Sequence, residues 1–382
     1  MSATTAPAEV ALGTITSEAA FSGLEEEWDA LVRSRARPSP FLLHAWLVEW
    51  WRHYGEDGEL AIHVAHRGGR LVGALPLCLR RSHGLRVLSF VGGDPALADL
   101  LLADGESGET AAALAARAVT AGQDFADFAG LPAGSRLVAG LGPSAVRLIA
   151  RSEAPVLDLS LGWHVVYGSR LSAKKRGHHR RRRRQLATLG RVEVEVARTP
   201  EELERALEDA FTVHVLRWNG RPDGSGFASP EGRRFNHAAI QALARLDVPR
   251  IVLLRIDGRP VAFHYYLALE GRMYVHRIAF DPAFGRFSPG VINTLDAIET
   301  AAAEGVTRVE FLGGAERYKV ELADHLEPLY QGFGLAATIR GKAAVAARVG
   351  GIRVRRRLKR SATLRRFYFD GLAPARRLLG RA

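Results

Sequence analysis

One cysteine, two methionines and the absence of any long apolar run define what this 382-residue sequence does without. A lone cysteine cannot close an internal disulfide, so no disulfide framework is available. Cys78 lies in the run LVGALPLCLR, where a small buried core residue is the expected role rather than a nucleophile. No HExxH or comparable His/Cys spacing occurs, and no metal site is expected. No stretch is long and apolar enough to span a bilayer. The start, MSATTAPAEV, lacks the basic residues and apolar core of a secretory signal, which places the protein in the cytoplasm. What remains is ordinary globular composition, 47% hydrophobic and 25% charged, with enough chain for two cored domains.

The net charge of +12 is unevenly placed. Residues 335–382 hold fourteen Lys/Arg against one acid, Asp370, and the preceding chain carries 39 bases and 40 acids. The tail interleaves Arg with Leu, Phe and Tyr. That pattern suits an anionic membrane surface, and it suits RNA or a solvated extension as well. A second basic block, LSAKKRGHHRRRRRQLATLG (171–190), has Ser172 as a candidate N-cap and Leu171, Leu186 and Leu189 as an apolar edge. It reads as a surface helix whose arginine face binds phosphates, is balanced by the acidic 193–209 stretch, or contacts nucleic acid.

The segment Ser288–Lys319, SPGVINTLDAIETAAAEGVTRVEFLGGAERYK, concentrates the most chemistry. Ser288 is a candidate cap with Pro289 in the first turn, and Val291, Leu295, Ile298 and Ala302 form one apolar helical face. Gly305 closes the helix, a strand is expected over Val306–Leu312, and Gly313-Gly314 permits close backbone approach. A glycine-containing loop before a helix can present N–H groups to a phosphate.

An internal repeat organises the rest. IHVAHRGGRLVGALPL (62–77) aligns with IVLLRIDGRPVAFHYY (251–266), with Ile62/Ile251, Gly69/Gly258, Arg70/Arg259 and Val72/Val261 in register. Each copy is a hairpin, and each continues in the order β-β-β-α-β. The first copy runs through Leu85–Val91, Thr110–Thr120 and Phe125–Phe128. The second runs through Arg272–Phe280, the helix from Pro289 and Val306–Leu312.

That element order resembles a GNAT acyltransferase unit. From Arg170 to Phe333 the chain resembles the FemAB-like, double-GNAT acetyltransferases typified by the CelD family, through the basic helix, HVLRW (214–218), DGRPVAFHYYL (257–267), FSPG (287–290) and FLGGAERYK (311–319). Residues 1–169 fit more loosely, through PFLLHAWLVEWWRHYG (40–55) and the repeat. The resemblance implies an α/β (α+β) fold of two tandem GNAT-like domains from an internal duplication, with mixed sheets flanked by helices. The expected division is a degenerate N-terminal domain over 1–169, a catalytic domain over 170–334 and a basic extension over 335–382.

The resemblance also implies N-acyl transfer from acetyl-CoA or another acyl-CoA to an amine on a small molecule, glycan or lipid, in cell-envelope polysaccharide or lipid metabolism. FemAB-type transfer from aminoacyl-tRNA is the enzymatic alternative, and a non-catalytic scaffold at the inner face of the membrane is another. In a GNAT unit the strand before the diphosphate helix, here Met273–Phe280, splays from its neighbour and bares N–H groups for the developing oxyanion. The carrier diphosphate is expected at Gly285, Arg286, Ser288, Gly290 and Val291, although FGRFSPG departs from the usual glycine spacing and Pro289 removes one donor. His276 is a candidate base for the attacking amine, Tyr318 or Tyr330 a candidate acid for the thiolate, Lys319 a phosphate or charge partner, and Glu316 its orienter or an amine ligand. Each has a packing alternative. Trp46, Trp50, Trp51 and Tyr54 follow helical spacing and read as a packing face before a sugar platform, and Trp218 with Arg217 reads as packing or as a cleft wall.

Overall fold

Four hairpin turns set the register of the molecule. Gly68-Gly69, His83-Gly84, Asp257-Gly258 and Glu270-Gly271 each place two consecutive residues at positive φ. This is the turn geometry whose twist matches antiparallel strands, and it favours glycine at the second position. Two such turns fall at matching points of each repeat, so the match between the repeats extends to backbone conformation. The computed structural model describes residues 9–93, 97–218 and 226–360.

The N-terminal run comprises β1 (Val10–Ile15), α1 (Glu18–Ser22), α2 (Glu25–Arg33), α3 (His44–Tyr54), β2 (Gly58–Arg67), β3 (Arg70–Ser82), β4 (Leu85–Phe90), β5 (Leu101–Leu102), α4 (Gly108–Val119), β6 (Phe125–Leu131), α5 (Arg136–Leu141) and β7 (Val146–Asp158). After α6 (Trp163–Arg170) and α7 (Ala173–Ala187), the second run comprises β8 (Val192–Ala197), α8 (Pro200–Trp218), α9 (Pro230–Ala244), β9 (Pro249–Ile256), β10 (Arg259–Leu269), β11 (Arg272–Phe280), α10 (Pro289–Ala303), β12 (Arg308–Glu310), α11 (Arg317–Leu322) and β13 (His325–Gly334). Helix α12 (Ile339–Arg360) follows. The two units share one sheet of 13 strands among the described residues, in the order β1-β2-β3-β4-β6-β13-β7-β12-β11-β10-β9-β8, with β5 on β3.

The order exposes an exchange. β7 pairs with β12 of the second unit, whereas β13 pairs with β6 of the first, and the two lie antiparallel to each other. Sheet membership therefore crosses position 170 in both directions. One apolar core also spans the units: Trp28 and Trp46 from α2 and α3 pack in the same cluster as Phe211 from α8 and Phe263 and Tyr265 from β10. The buried Glu310 carboxylate accepts from Arg37 at 2.6 Å and Arg272 at 3.0 Å, and Tyr274 donates to the Pro38 carbonyl, which bolts the units together. Such a charge is tolerable in the interior because its partners surround it.

Several local expectations change. The strand expected over Val306–Leu312 is regular only at Arg308–Glu310; Phe311 still donates its N–H to Pro155 of β7, but Leu312 turns at φ 55° and ends it. Ser288 is itself left-handed, φ 56°, and its side chain makes no cap bond to α10. Ser172 does cap α7, accepting from Lys175 N–H. Leu171 and Leu186 are buried as expected, but Leu189 is exposed. Cys78 is buried, and burial pushes its thiol up to about 11.

The start of the basic extension is docked. Thr338 Oγ1 hydrogen-bonds Asp124 Oδ1 at 2.6 Å, Arg340 donates to Gly84 O at 3.0 Å, and the Arg348 guanidinium lies 4.6 Å from the Phe125 ring centroid. Residues 361–382, the remainder of the expected membrane-binding tail, lie outside the described residues. No described helix is long and apolar enough to cross a membrane.

Candidate active site

Strand pairing creates the site by stopping. β11 and β12 run parallel through Arg272–Arg308, Met273–Val309 and Tyr274–Glu310, and there the pairing ends. β11 continues to Phe280 while the other strand turns away into Leu312-Gly313-Gly314. A cleft of about 1150 Å³ opens in this gap, lined by Val275–Phe280 on one side and Phe311–Gly313 on the other. Backbone beyond the last paired residue cannot be satisfied by the ladder, so this edge can take a ligand carbonyl.

His276 sits at the irregularity in the β10–β11 register, at Tyr265/Tyr266. Its ring is 4.9 Å from Tyr265, 5.4 Å from Trp46 and 5.7 Å from Phe41, all centroid to centroid. Burial, with the neighbouring Arg277 charge, holds the imidazole well below its usual pKa, so it is neutral at pH 7.

The Glu-x-Tyr-Lys cluster reaches the same cleft. Lys319, 6% exposed on α11, pairs with Glu316 Oε2 at 2.9 Å, and both line the cavity together with Tyr318. Burial raises the Tyr318 phenol, which is hydrogen-bonded with Thr294, and so keeps it protonated. Beneath them His264 is fully buried on β10, and its two ring nitrogens have no hydrogen-bond partner. Burial, and then the Lys319 charge, lowers its pKa to about 3. Tyr330 also lines the cleft, from β13 in the first unit's portion of the sheet.

The five expected carrier contacts separate. Gly285 and Arg286 belong to a 3-10 turn over Pro282–Phe287, and Arg286 stacks on Phe287 at 4.5 Å. Gly290 and Val291 line the main cleft, where a Cβ on Gly290 would stand 2.9 Å from Phe280 Cδ1. Ser288 and Val291 border a second cavity of about 460 Å³, between α7, the start of α10 and α11. Its basic groups are Lys175, His178, His179, Arg182 and Arg317. Tyr318 and Val291 border both cavities, so the two spaces adjoin.

Helix α7 is tied to this place by acids from α10 and α11 rather than from 193–209. Arg183 pairs with Asp296, Lys175 with Glu321 at 2.8 Å, and Arg182 donates to the Arg286 carbonyl. The acids follow α7 in sequence by more than a hundred positions, so no local pattern pairs them.

The cleft wall opposite β11 is aromatic. Trp46, Trp50 and Tyr54 of α3 and Phe235 of α9 line it. Of the α3 residues expected to pack before serving as a ring platform, Trp46, Trp50 and Tyr54 pack and also face the cleft while Trp51 packs outside it, and Trp218 with Arg217 joins the lining. Helical spacing revealed their common face but not what lay opposite.

Residues 173–320 match the family described as acetyltransferase (GNAT) domain. Curated protein sequences provide no match. Among solved structures, FemX is similar with a TM-score of 0.58 at 12% identity, covering 85% of this chain and 98% of that one. The C-terminal domain of a putative lysylphosphatidylglycerol synthetase from Agrobacterium fabrum gives 0.55 at 13% identity, covering 87% and 97%. L-PGS from Bacillus licheniformis gives 0.53 at 13%, covering 85% and 96%. At such identities the likeness is one of fold, and it extends over both units.

Proposed function

We propose that this chain, whose residues 173–320 match a GNAT acetyltransferase domain and whose fold is similar to that of FemX, is an acyltransferase that moves an acyl group from acyl-CoA to an amine. The observation that carries the reading is the end of β11–β12 pairing at Tyr274–Glu310, beside the neutral His276. The carrier supplies an acyl thioester. Its phosphates are assigned to the smaller cavity, whose lining includes Ser288, Arg182, and Lys175 and Arg317 with their shared partner Glu321. Cationic side chains there take over from backbone donors, because Val291 and Ile292 N–H both turn back to the Ser288 carbonyl and Pro289 has none.

His276 takes a proton from the amine as the new C–N bond forms and the C–S bond breaks. The bared β11 backbone stabilises negative charge on the carbonyl oxygen. Tyr318, with its raised pKa, donates a hydrogen bond toward the departing sulfur, which finally takes a proton from solvent or the phenol. Lys319 adds positive charge and Glu316 orients it.

A lipid-linked or other envelope acceptor suits this reading, since two of the similar folds bear the names of lysylphosphatidylglycerol synthetases. The tail beyond Arg360 would hold the enzyme at an anionic membrane face. Transfer from aminoacyl-tRNA is a second reading, favoured by the exposed arginines of α7. Melting curves with acetyl-CoA, a long-chain acyl-CoA and aminoacyl-tRNA separate the readings, because a ligand at a hundred times its Kd stabilises by about 2.7 kcal/mol. Stabilisation by an acyl-CoA and a fall in its turnover of about a hundredfold in His276→Ala are expected. Stabilisation by aminoacyl-tRNA alone would replace the donor.

A further inference from the structure

The two sides of helix α7 have different surroundings. On the inner side Arg183 pairs with Asp296, Lys175 pairs with Glu321, Arg182 donates to the Arg286 carbonyl, and Leu186 is buried. At 3.6 residues per turn, Lys174, Arg180, Arg181 and Arg184 share about one third of the circumference, opposite Lys175, Arg182 and Leu186. All four are exposed, and among the described residues none of them has an ion pair or a side-chain hydrogen bond. The helix itself contains no acid. Nor could the undescribed residues neutralise this side, since they hold six arginines against three acids, Asp94, Asp223 and Asp370.

Helix α6 adds apolar surface next to that charge. It is joined to α7 by Leu171 and Ser172 alone, and Arg176 of α7 donates to its Gly168 carbonyl at 2.6 Å. Trp163, Val166 and Leu171 share a core cluster with Leu295 and Ile298 of α10. Both helices therefore lie on α10, and their other sides face solvent together. Val165, 57% exposed, stands opposite Trp163 and Val166 on α6, and Leu161, 72% exposed, precedes it.

Cations alone suit any polyanion. Cations beside protruding aliphatic side chains suit a headgroup layer with hydrocarbon beneath it, which RNA does not offer. We infer that the outer side of α6–α7 is a docking surface for an anionic lipid bilayer, with Lys174, Arg180, Arg181 and Arg184 among the headgroup phosphates and Leu161 and Val165 at the acyl boundary. This surface is separate from the tail beyond Arg360 and does not depend on the transfer chemistry. Because the inner side of α7 lines the smaller cavity, docking brings that cavity to the lipid face.

The full chain, labelled with an environment-sensitive fluorophore at Leu161→Cys, tests the geometry, since the native Cys78 is buried. In about 0.1 M salt, vesicles of phosphatidylglycerol and phosphatidylcholine in equal parts should brighten this label, and pure phosphatidylcholine should not. A label at Val119→Cys, on α4 of the first unit, should stay dark. Replacing Lys174, Arg180, Arg181 and Arg184 together by Gln, with melting like that of the parent, should weaken co-sedimentation with the anionic vesicles by about tenfold or more, since each basic residue at such a surface is worth about fivefold. The Leu161→Ser, Val165→Ser double variant should weaken it as well. A dark label at Leu161→Cys while the protein sediments, no sedimentation at all, or unchanged vesicle affinity in the quadruple variant overturns the inference. If that variant keeps its vesicle affinity and loses affinity for bulk tRNA, the surface belongs to RNA instead.

Discussion

The two units each contain a parallel strand pair that parts after a short ladder, and different surroundings meet the two gaps. In the first unit β4 and β6 pair at Val87–Phe125 and Leu88–Ala126 and then separate. A following segment of the chain packs against this pair, while Gly92, Gly93 and Gly130 beside it reach the common cleft. Ala98, Leu100 and Leu102 pack in one cluster with Phe90 of β4 and Phe128 of β6. Asp99, also buried, accepts from Ser135 Oγ at 2.7 Å and from the N–H of Arg136 and Leu137. In the second unit no such segment follows β11. A short 3-10 turn leads directly into α10, and the gap remains a cleft. The same backbone device has therefore become core in one copy and a candidate catalytic edge in the other. The difference lies in the connection after the third strand of the repeat.

Thinning the packed segment is the most forceful way to break the comparison. Leu100→Ala removes a fully buried side chain and should cost about 3 kcal/mol of unfolding free energy in denaturant titrations. A loss below about 1 kcal/mol would mean that the segment lies over the strand pair without packing against it.

The open gap should respond in activity instead. Lys319→Ala is expected to lower turnover by about a hundredfold, while melting stays near that of the parent because Glu316, its partner, is more than half exposed. Full activity, or unfolding, would assign Lys319 to structure.

A tenfold loss, about 1.4 kcal/mol, is expected in acyl-CoA affinity for Gly290→Asp. The substitution adds a carboxylate beside the carrier cavity and a Cβ that presses on Phe280. Unchanged affinity would move the carrier away from the start of α10.

The pH response sharpens the comparison more gently. His63 in the first unit has its pKa lowered to about 4 by burial, then by Arg117, and His264 in the second is lowered to about 3. The unfolded chain, with histidines near 6.5, takes up protons first on acidification. Stability that is fully present above about 6.5 is therefore lost as pH falls toward the native values, by at most about 1.4 kcal/mol per pH unit for each histidine. Chemical denaturation at pH 7 and pH 5 should show the loss, and His63→Gln should remove the first unit's share. A flat profile between those pH values would show that the rings are protonated in the fold.

Much of this was legible before any coordinates. The glycine turns at Gly69 and Gly258, the order β-β-β-α-β in each copy and the Ser172 cap are short-range features, dictated by φ preferences and periodicity within a few residues. Composition and charge placement likewise separated the neutral body from its basic end. The tertiary structure alone decided the rest. Which strands pair at a distance depends on what else can cover each edge, so the exchange of β7 and β13 leaves no local mark. The partners of the α7 arginines, Asp296 among them, come from elements far along the chain. The α3 rings became a cleft wall only when α9 and β11 stood opposite, because helical spacing shows which side chains share a face and cannot show whether that face meets another helix, a sheet or an opening.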